Sequence, residues 1–224
     1  MTQGSAVRAV LFDWRGTLVD DPPDDWWVGE ALRRAGRDAG DAQITARCVA
    51  LRTAAAHPEV VNGERTCDCS AAGHRAWMLD WFARAGFDDD LAATLYDLDF
   101  EAASHTFYPD VDATLRALAA RGCRVVVLSD IHFDLRPEFA AAGFGDLVDA
   151  FVLSFEHGVQ KPDRQVFELA LDAAGVEPAD ALMVGDRASH DGGGVVVGIP
   201  TLLFPPGLPA HLPRGLDRVV RLVD

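Results

Sequence analysis

Residues 10–19 read VLFDWRGTLV. An apolar run ends on Asp13, and a tryptophan, an arginine and a Gly-Thr turn follow. Read back to residue 7, VRAVLFD has the profile of a short, buried parallel strand closing on an acid. Ligands of open α/β sheets gather outside the carboxyl ends of strands, so Asp13 lies where a site is expected. Gly16 lets the backbone approach an anion closely.

The rest of the chain decides whether such a sheet exists. From 105 onward, strand and helix signals alternate. VDATLRALAARG (111–122), FDLRPEFAAAGF (133–144) and RQVFELALDAAGV (164–176) are amphipathic and helical. Between and after them, CRVVVLSD (123–130), DAFVLS (149–154), ALMVGD (181–186) and GIPTLLF (198–204) are apolar strands. That alternation predicts a doubly wound parallel α/β sheet. Residues 26–104 differ, with apolar residues at helical spacing and no convincing strand. WWVGEALRRAG, ITARCVALRTAAA, HRAWMLDWFARAG and LAATLYDLDFEAA each predict a helix. The expected organisation is a core of 1–20 and 105–224 with a helical insertion over 21–104. Residues 20–25, DDPPDD, read as a hinge that neither continues a strand nor opens smoothly into a helix. The proline-rich end of the chain reads as a tail packing on the core.

Composition narrows the function. The formal net charge of −15 opposes a general affinity for nucleic acid or anionic membrane, so an anionic substrate needs a local positive site. No apolar run approaches the ~20 residues that span a bilayer, and the N-terminus shows no signal-peptide pattern, so a cytoplasmic location is the expectation. Four cysteines at uneven spacing do not suggest a disulfide framework. The stretch CDCSAAGH (67–74) invites a metal reading through Cys67, Cys69 and His74, but zinc knuckles separate their cysteines by two to four residues and use a second pair. Buried or incidental thiols are the plainer expectation there.

Strand ends supply the chemistry. Asp13, Ser129 with Asp130, and Gly185 with Asp186 close three of the predicted strands, and Asp191 follows five residues later. Lys161, the single lysine in the chain, sits in the loop GVQKPD. A carboxylate can attack phosphorus as a nucleophile. Phosphoryl transfer also needs compensation of charge on the non-bridging oxygens, which an ammonium, a hydroxyl and loop N–H groups provide. Mg²⁺ prefers a few carboxylates plus waters, which suits Asp13, Asp186 and Asp191.

The segments FDWRGTLV, VVLSD, GVQKPD and MVGDRASHD, in this order, resemble the four motifs of the haloacid dehalogenase-like (HAD) hydrolase superfamily. The resemblance implies a Rossmann-like core, with the helical insertion in the place of the family's cap. It implies Asp13 as nucleophile, Ser129 and Lys161 as phosphate-binding catalytic residues, and Mg²⁺ held by Asp13, Asp186 and Asp191 with the backbone carbonyl of Arg15. The implied partner is a small phosphorylated molecule, bound by a monomer or homodimer.

Arg15 departs from the family pattern, which has an aspartate there as proton donor and base. Arginine's pKa exceeds ~12, so it can serve neither step near neutrality. A phosphatase-type hydrolase would then act on leaving groups that need little protonation, or take its acid from elsewhere. His132, His157 and His190 lie near the motifs, and the insertion offers His57 and His74. Arg15 would bind an anionic group of the substrate, with Gly16, Thr17 and His132 completing the candidate binding set. Two alternatives stand beside this reading. A dehalogenase would also lack the second aspartate but needs no magnesium, and Asp186 and Asp191 are retained. A degenerate, non-catalytic binding protein is the other. Phosphonate cleavage, which resembles this stretch in its tryptophan, requires a cap lysine that the sequence lacks. In the insertion, Trp26, Trp27, Trp77, Trp81 and Phe82 read mainly as core packing, with an apolar substrate pocket as the alternative.

Overall fold

The structure is a computed structural model that describes residues 6–101, 105–205 and 207–223. The chain divides into two compact units, Met1–Asp21 with Thr106–Asp224, and Pro22–His105.

In chain order the elements begin with β1 (Ala9–Phe12), followed by the helices of the second unit: α1 (Asp24–Arg34), α2 (Asp41–Ala55), α3 (Pro58–Glu64), α4 (Ala71–Arg84) and α5 (Asp89–Asp99). The first unit resumes with α6 (Val111–Ala120), β2 (Arg124–Ser129), α7 (Arg136–Ala141), β3 (Ala150–Leu153), α8 (Ser154–His157), α9 (Arg164–Ala174), β4 (Ala181–Gly185), β5 (Thr201–Leu203) and α10 (Asp217–Val223). All strand pairings are parallel, in the order β3-β2-β1-β4-β5. The predicted doubly wound α/β sheet is therefore present.

Every residue of β1 is buried because both faces of the sheet are covered. Val10 and Phe12 pack into a cluster with Leu115 and Leu118 of α6 and Val219 of α10. Ala9 and Leu11 point the other way, toward Phe167 and Ala170 of α9. The chain runs β1, β2, β3 outward, then returns past β1 to add β4 and β5 on its other side. That reversal opens a crevice at the carboxyl ends of β1 and β4, the place where such sheets bind ligands.

The helical unit has its own core, in which Leu32, Leu51, Phe82, Leu91 and Leu95 are buried together. Its tryptophans tie helices to one another. The indole N–H groups of Trp27, Trp77 and Trp81 donate to the carbonyls of Leu95, Val60 and Leu51 at 3.0, 2.8 and 2.9 Å. Trp26 is partly exposed.

Several sequence expectations are corrected. DDPPDD does open into a helix: Pro23 supplies the extended entry residue, and Asp24 and Asp25 place negative charge at the positive end of α1. Helix α3 was not anticipated; Pro58 at its start needs no amide partner there. Helix α5 stops at Asp99 rather than reaching 103, and residues 102–103 of that expectation lie outside the described residues. Helix α7 spans only Arg136–Ala141: Pro137 in its first turn bars extension toward 133, and Gly143 with φ +78° follows its end. The C-terminal tail ends in α10, which packs against α6. No helix among the described residues is long and apolar enough to cross a membrane.

Candidate active site

Register brings the strand ends together. Phe12 pairs with Val127 on one side and Val184 on the other, so Asp13, Ser129 and Asp186 emerge from three adjacent strands. The Asp13 amide donates to the Val184 carbonyl at 2.8 Å, which fixes where its side chain leaves the sheet.

Lys161 lies at the centre of the cluster. Its Nζ donates to Asp13 Oδ1 at 2.7 Å and to Asp191 Oδ1 at 2.6 Å, with the side chain 2% exposed. Its backbone amide donates to Asp130 Oδ1 at 2.8 Å, so the residue after Ser129 holds the lysine loop in place. Asp191 is tied down through its second oxygen, which accepts from the amides of Asp186 and Arg187 at 3.0 and 2.8 Å. One oxygen each from Asp13, Asp186 and Asp191 lies within 4.8 Å of the others.

Two glycines make this packing possible. Gly16 has φ +70°, and a Cβ there would fall 2.4 Å from Asp186 Oδ2. At Gly185 a Cβ would meet the Asp191 carboxyl at 2.2 Å. Both positions exclude any side chain by contact with the carboxylates themselves. Thr17 is fully buried, and its hydroxyl donates to Asp13 Oδ2 at 3.4 Å.

Electrostatics follow from three carboxylates meeting one ammonium. Burial pushes Asp13 up to about 7 despite Lys161, and the nearby Asp191 and Asp186 push the same way. Asp186 is also raised, by burial and then by Asp191, with Arg214 and Lys161 opposing. Burial would raise Asp191 too, but Lys161 and the two backbone amides hold it below its ordinary value. Lys161 is raised, since its carboxylate neighbours outweigh its burial. Among the described residues Asp186 Oδ1 is buried and accepts no hydrogen bond. An all-oxygen set with surplus negative charge and an orphaned oxygen fits a hard divalent cation such as Mg²⁺.

Ser129 is buried at the end of β2. Arg15 is half-buried, with its guanidinium 5.8 Å from the Trp14 ring centroid. His132 is buried edge-on to Phe133, at 5.1 Å between ring centroids. His190 meets the Ser189 hydroxyl at 2.9 Å, and His157 is exposed at the end of α8. His57 and His74 belong to the helical unit, where Glu59 and Asp68 lie beside them.

Two contributors escaped sequence reasoning. Ser154 exchanges hydrogen bonds of 2.9 Å with both the amide and the carbonyl of Ile131, bracing the loop that follows β2. Arg214 is 2% exposed, packed at 5.6 Å from the Tyr108 ring and 5.0 Å from that of Phe204, and its charge acts on Asp186. Its place is set by Asp110, whose carboxylate accepts from the amides of Arg214, Gly215 and Leu216. The tail carries three arginines, Arg214, Arg218 and Arg221, and nothing in its pattern singles out the first.

Comparison with known proteins identifies the family. The family model for haloacid dehalogenase-like hydrolases matches residues 7–194. A phosphoserine phosphatase of Thermus thermophilus is 29% identical over 215 residues, with 83% of each chain covered. A phosphoglycolate phosphatase of Cupriavidus necator is 29% identical, covering 95% of this chain and 88% of its own. Among solved structures, the magnesium-bound HAD-hydrolase YfnB of Bacillus subtilis superposes with a TM-score of 0.72 at 15% identity, covering 98% of this chain and 99% of that one. The fold, the ordered motifs and the span of the family match give one conclusion: this chain belongs to the haloacid dehalogenase-like hydrolase family.

Proposed function

We propose that the protein is a Mg²⁺-dependent phosphatase acting on a small organic phosphate through an aspartyl-phosphate on Asp13. The observation that carries the proposal is the convergence of Asp13, Asp186 and Asp191, two of which accept from the buried Lys161 ammonium, at the crevice between β1 and β4. Asp13, Asp186, Asp191 and the Arg15 carbonyl would hold the cation, which when bound neutralises the carboxylates and the incoming phosphoryl group. The helical unit occupies the place in the chain where the family carries its cap, and we assign it that role in choosing the substrate.

In this reading a carboxylate oxygen of Asp13 attacks phosphorus, and the ester oxygen leaves with the bonding pair. Lys161 and Ser129 bind the non-bridging oxygens, while Thr17 and Asp191 hold Asp13 and Lys161 in position. Water then releases phosphate and restores Asp13. Arg15 cannot donate the proton that a basic leaving alcohol requires. It can bind a second anionic group, and both phosphoserine and phosphoglycolate, the substrates named for the two relatives, carry a carboxylate. We therefore favour a carboxylate-bearing phosphate, paired with the Arg15 guanidinium.

The test is a phosphatase panel that includes activated aryl phosphates and carboxylated alkyl phosphates, run with Mg²⁺ or EDTA. Wild type, Asp13→Asn and Arg15→Asp are compared. Turnover is expected only with Mg²⁺ and intact Asp13. Turnover that survives Asp13→Asn refutes the nucleophile. Halide release from a 2-haloacid that ignores EDTA would establish dehalogenation instead.

A further inference from the structure

The helical unit contains a second cluster of ligating side chains that the phosphatase reading does not use. It lies where the one-turn 3-10 segment Cys67–Cys69 meets the first turn of α4. Ser70 caps that helix by accepting from the Gly73 amide at 3.0 Å, and the cap turns the preceding segment back toward His74. One donor atom each from Cys67, Asp68 and His74 lies within 4.8 Å of the others. Cys67 and His74 are 4% and 5% exposed.

We propose that Cys67 Sγ, Asp68 carboxylate and His74 Nδ1 form a binding site for a borderline-soft divalent cation of the zinc class. Sulfur, imidazole and a single carboxylate select such an ion over Mg²⁺, which takes oxygen ligands. At ordinary zinc bond lengths, tetrahedral donors stand about 3.3–3.6 Å apart. Cys67 Sγ is 3.6 Å from Asp68 Oδ2, close to that separation, and the other oxygen of the same carboxylate meets His74. His74 Nδ1 is 2.8 Å from Asp68 Oδ1, a hydrogen bond that opens slightly when a cation replaces the shared proton. On the other side of the ring, His74 Nε2 faces Asp99 Oδ2 of α5 at 3.6 Å, within a small shift of the carboxylate–histidine pairing that orients a metal-bound imidazole. Binding displaces the Cys67 thiol proton, and His74 ligates as the neutral imidazole with Nδ1 on the cation and its one proton on Nε2, facing Asp99. Three protein ligands leave a fourth position for water. Cys69, which the sequence pattern suggested, is not among the three clustered residues.

The test uses the full-length protein, stripped of metal and then saturated with Mg²⁺ to fill the oxygen site of the core. Co²⁺ is titrated as the probe, because a thiolate–cobalt charge-transfer band reports sulfur ligation and the core site offers no sulfur. One equivalent is expected to produce that band, and Zn²⁺ to abolish it by competition. Cys67→Ser should remove the band and Cys69→Ser should leave it intact. Asp99→Asn should weaken binding about 10–100-fold. If circular dichroism shows Cys67→Ser misfolded, Asp68→Asn takes its place, with at least tenfold weaker Co²⁺ binding expected. A wild type without the band, or a band that survives Cys67→Ser, overturns the site. So does Asp68→Asn binding Co²⁺ as tightly as wild type. None of these readouts depends on turnover, so the outcome is separable from the phosphatase reading.

Discussion

Replacing Lys161 with methionine should destabilise the metal-free protein in a way that grows with pH. Methionine keeps much of the side-chain volume but removes the charge that lies 2.7 Å from Asp13 and 2.6 Å from Asp191. Three carboxyls then share one buried cluster with no ammonium. Breaking a buried pair by deleting one partner costs about 3–5 kcal/mol. Proton uptake limits the loss, because protonating a carboxyl of ordinary value 3.8 at pH 7 costs about 4 kcal/mol, at ~1.4 kcal/mol per unit. The first proton is nearly free, since Asp13 already sits at about 7; the cost falls on Asp191. The expected deficit is therefore about 3–4 kcal/mol, or roughly 6–16 °C in Tm for a chain this long. In wild type, Asp191 is held below its ordinary value, so its stabilisation is present above that value and lost as pH falls through the lowered one. In the variant, Asp191 is raised, and the folded state binds a proton that the unfolded chain releases. The gap between the proteins should consequently widen from pH 4 toward pH 7 as the variant's carboxyls resist ionisation, and the wild-type Asp191 contribution should disappear only below pH 4. Thermal melts in EDTA at several pH values measure it. A Tm within about 2 °C of wild type at pH 7, or a gap that widens on acidification, would refute the electrostatic account of the site.

Gly16→Ala should abolish turnover, because its Cβ would fall 2.4 Å from Asp186 Oδ2. The left-handed backbone adds about 1–2 kcal/mol, read as lost stability in urea melts. Mg²⁺ should raise Tm in wild type, by about 2.7 kcal/mol of stabilisation at a hundredfold excess over Kd, with Asp186→Asn reducing the effect. Arg15→Asp should raise turnover of alkyl phosphates with basic leaving groups by about 10²–10⁴-fold and flatten the dependence of rate on leaving-group pKa. Unchanged rates would mean that another residue supplies the proton. Asp110→Ala should cost about 1–3 kcal/mol and speed amide exchange at Arg214, Gly215 and Leu216, which lose their shared acceptor.

Much of the core was legible because its signals are local. Apolar runs such as VVVL announce strands buried on both faces, and an acid or serine at the end of a run marks a carboxyl edge. Boundaries in the helical unit were less legible. The expectation that DDPPDD blocks a helix weighed proline as a breaker, whereas Pro23 stands just outside α1 as its extended cap residue and interrupts no helical hydrogen bond. Helix α3 is seven residues long and buries only Val60, too little apolar pattern to register. Ser154 and Arg214 were invisible for another reason. Their partners, Ile131 and Asp110, lie 23 and 104 residues away, and nothing in a linear pattern reports such pairings.

By itself, the sequence determined the parallel α/β core, the order of its motifs and the residue types at the strand ends. Those properties follow from periodicity and residue type, which need no distant partner. Only the tertiary structure decided that Lys161 bridges Asp13 and Asp191, that Gly16 is dictated by the Asp186 carboxylate, and that Asp68 rather than Cys69 joins Cys67 and His74. Each depends on a separation of an ångström or less either way. Sheet register and the close packing of buried side chains set such separations, and spacing along the chain does not.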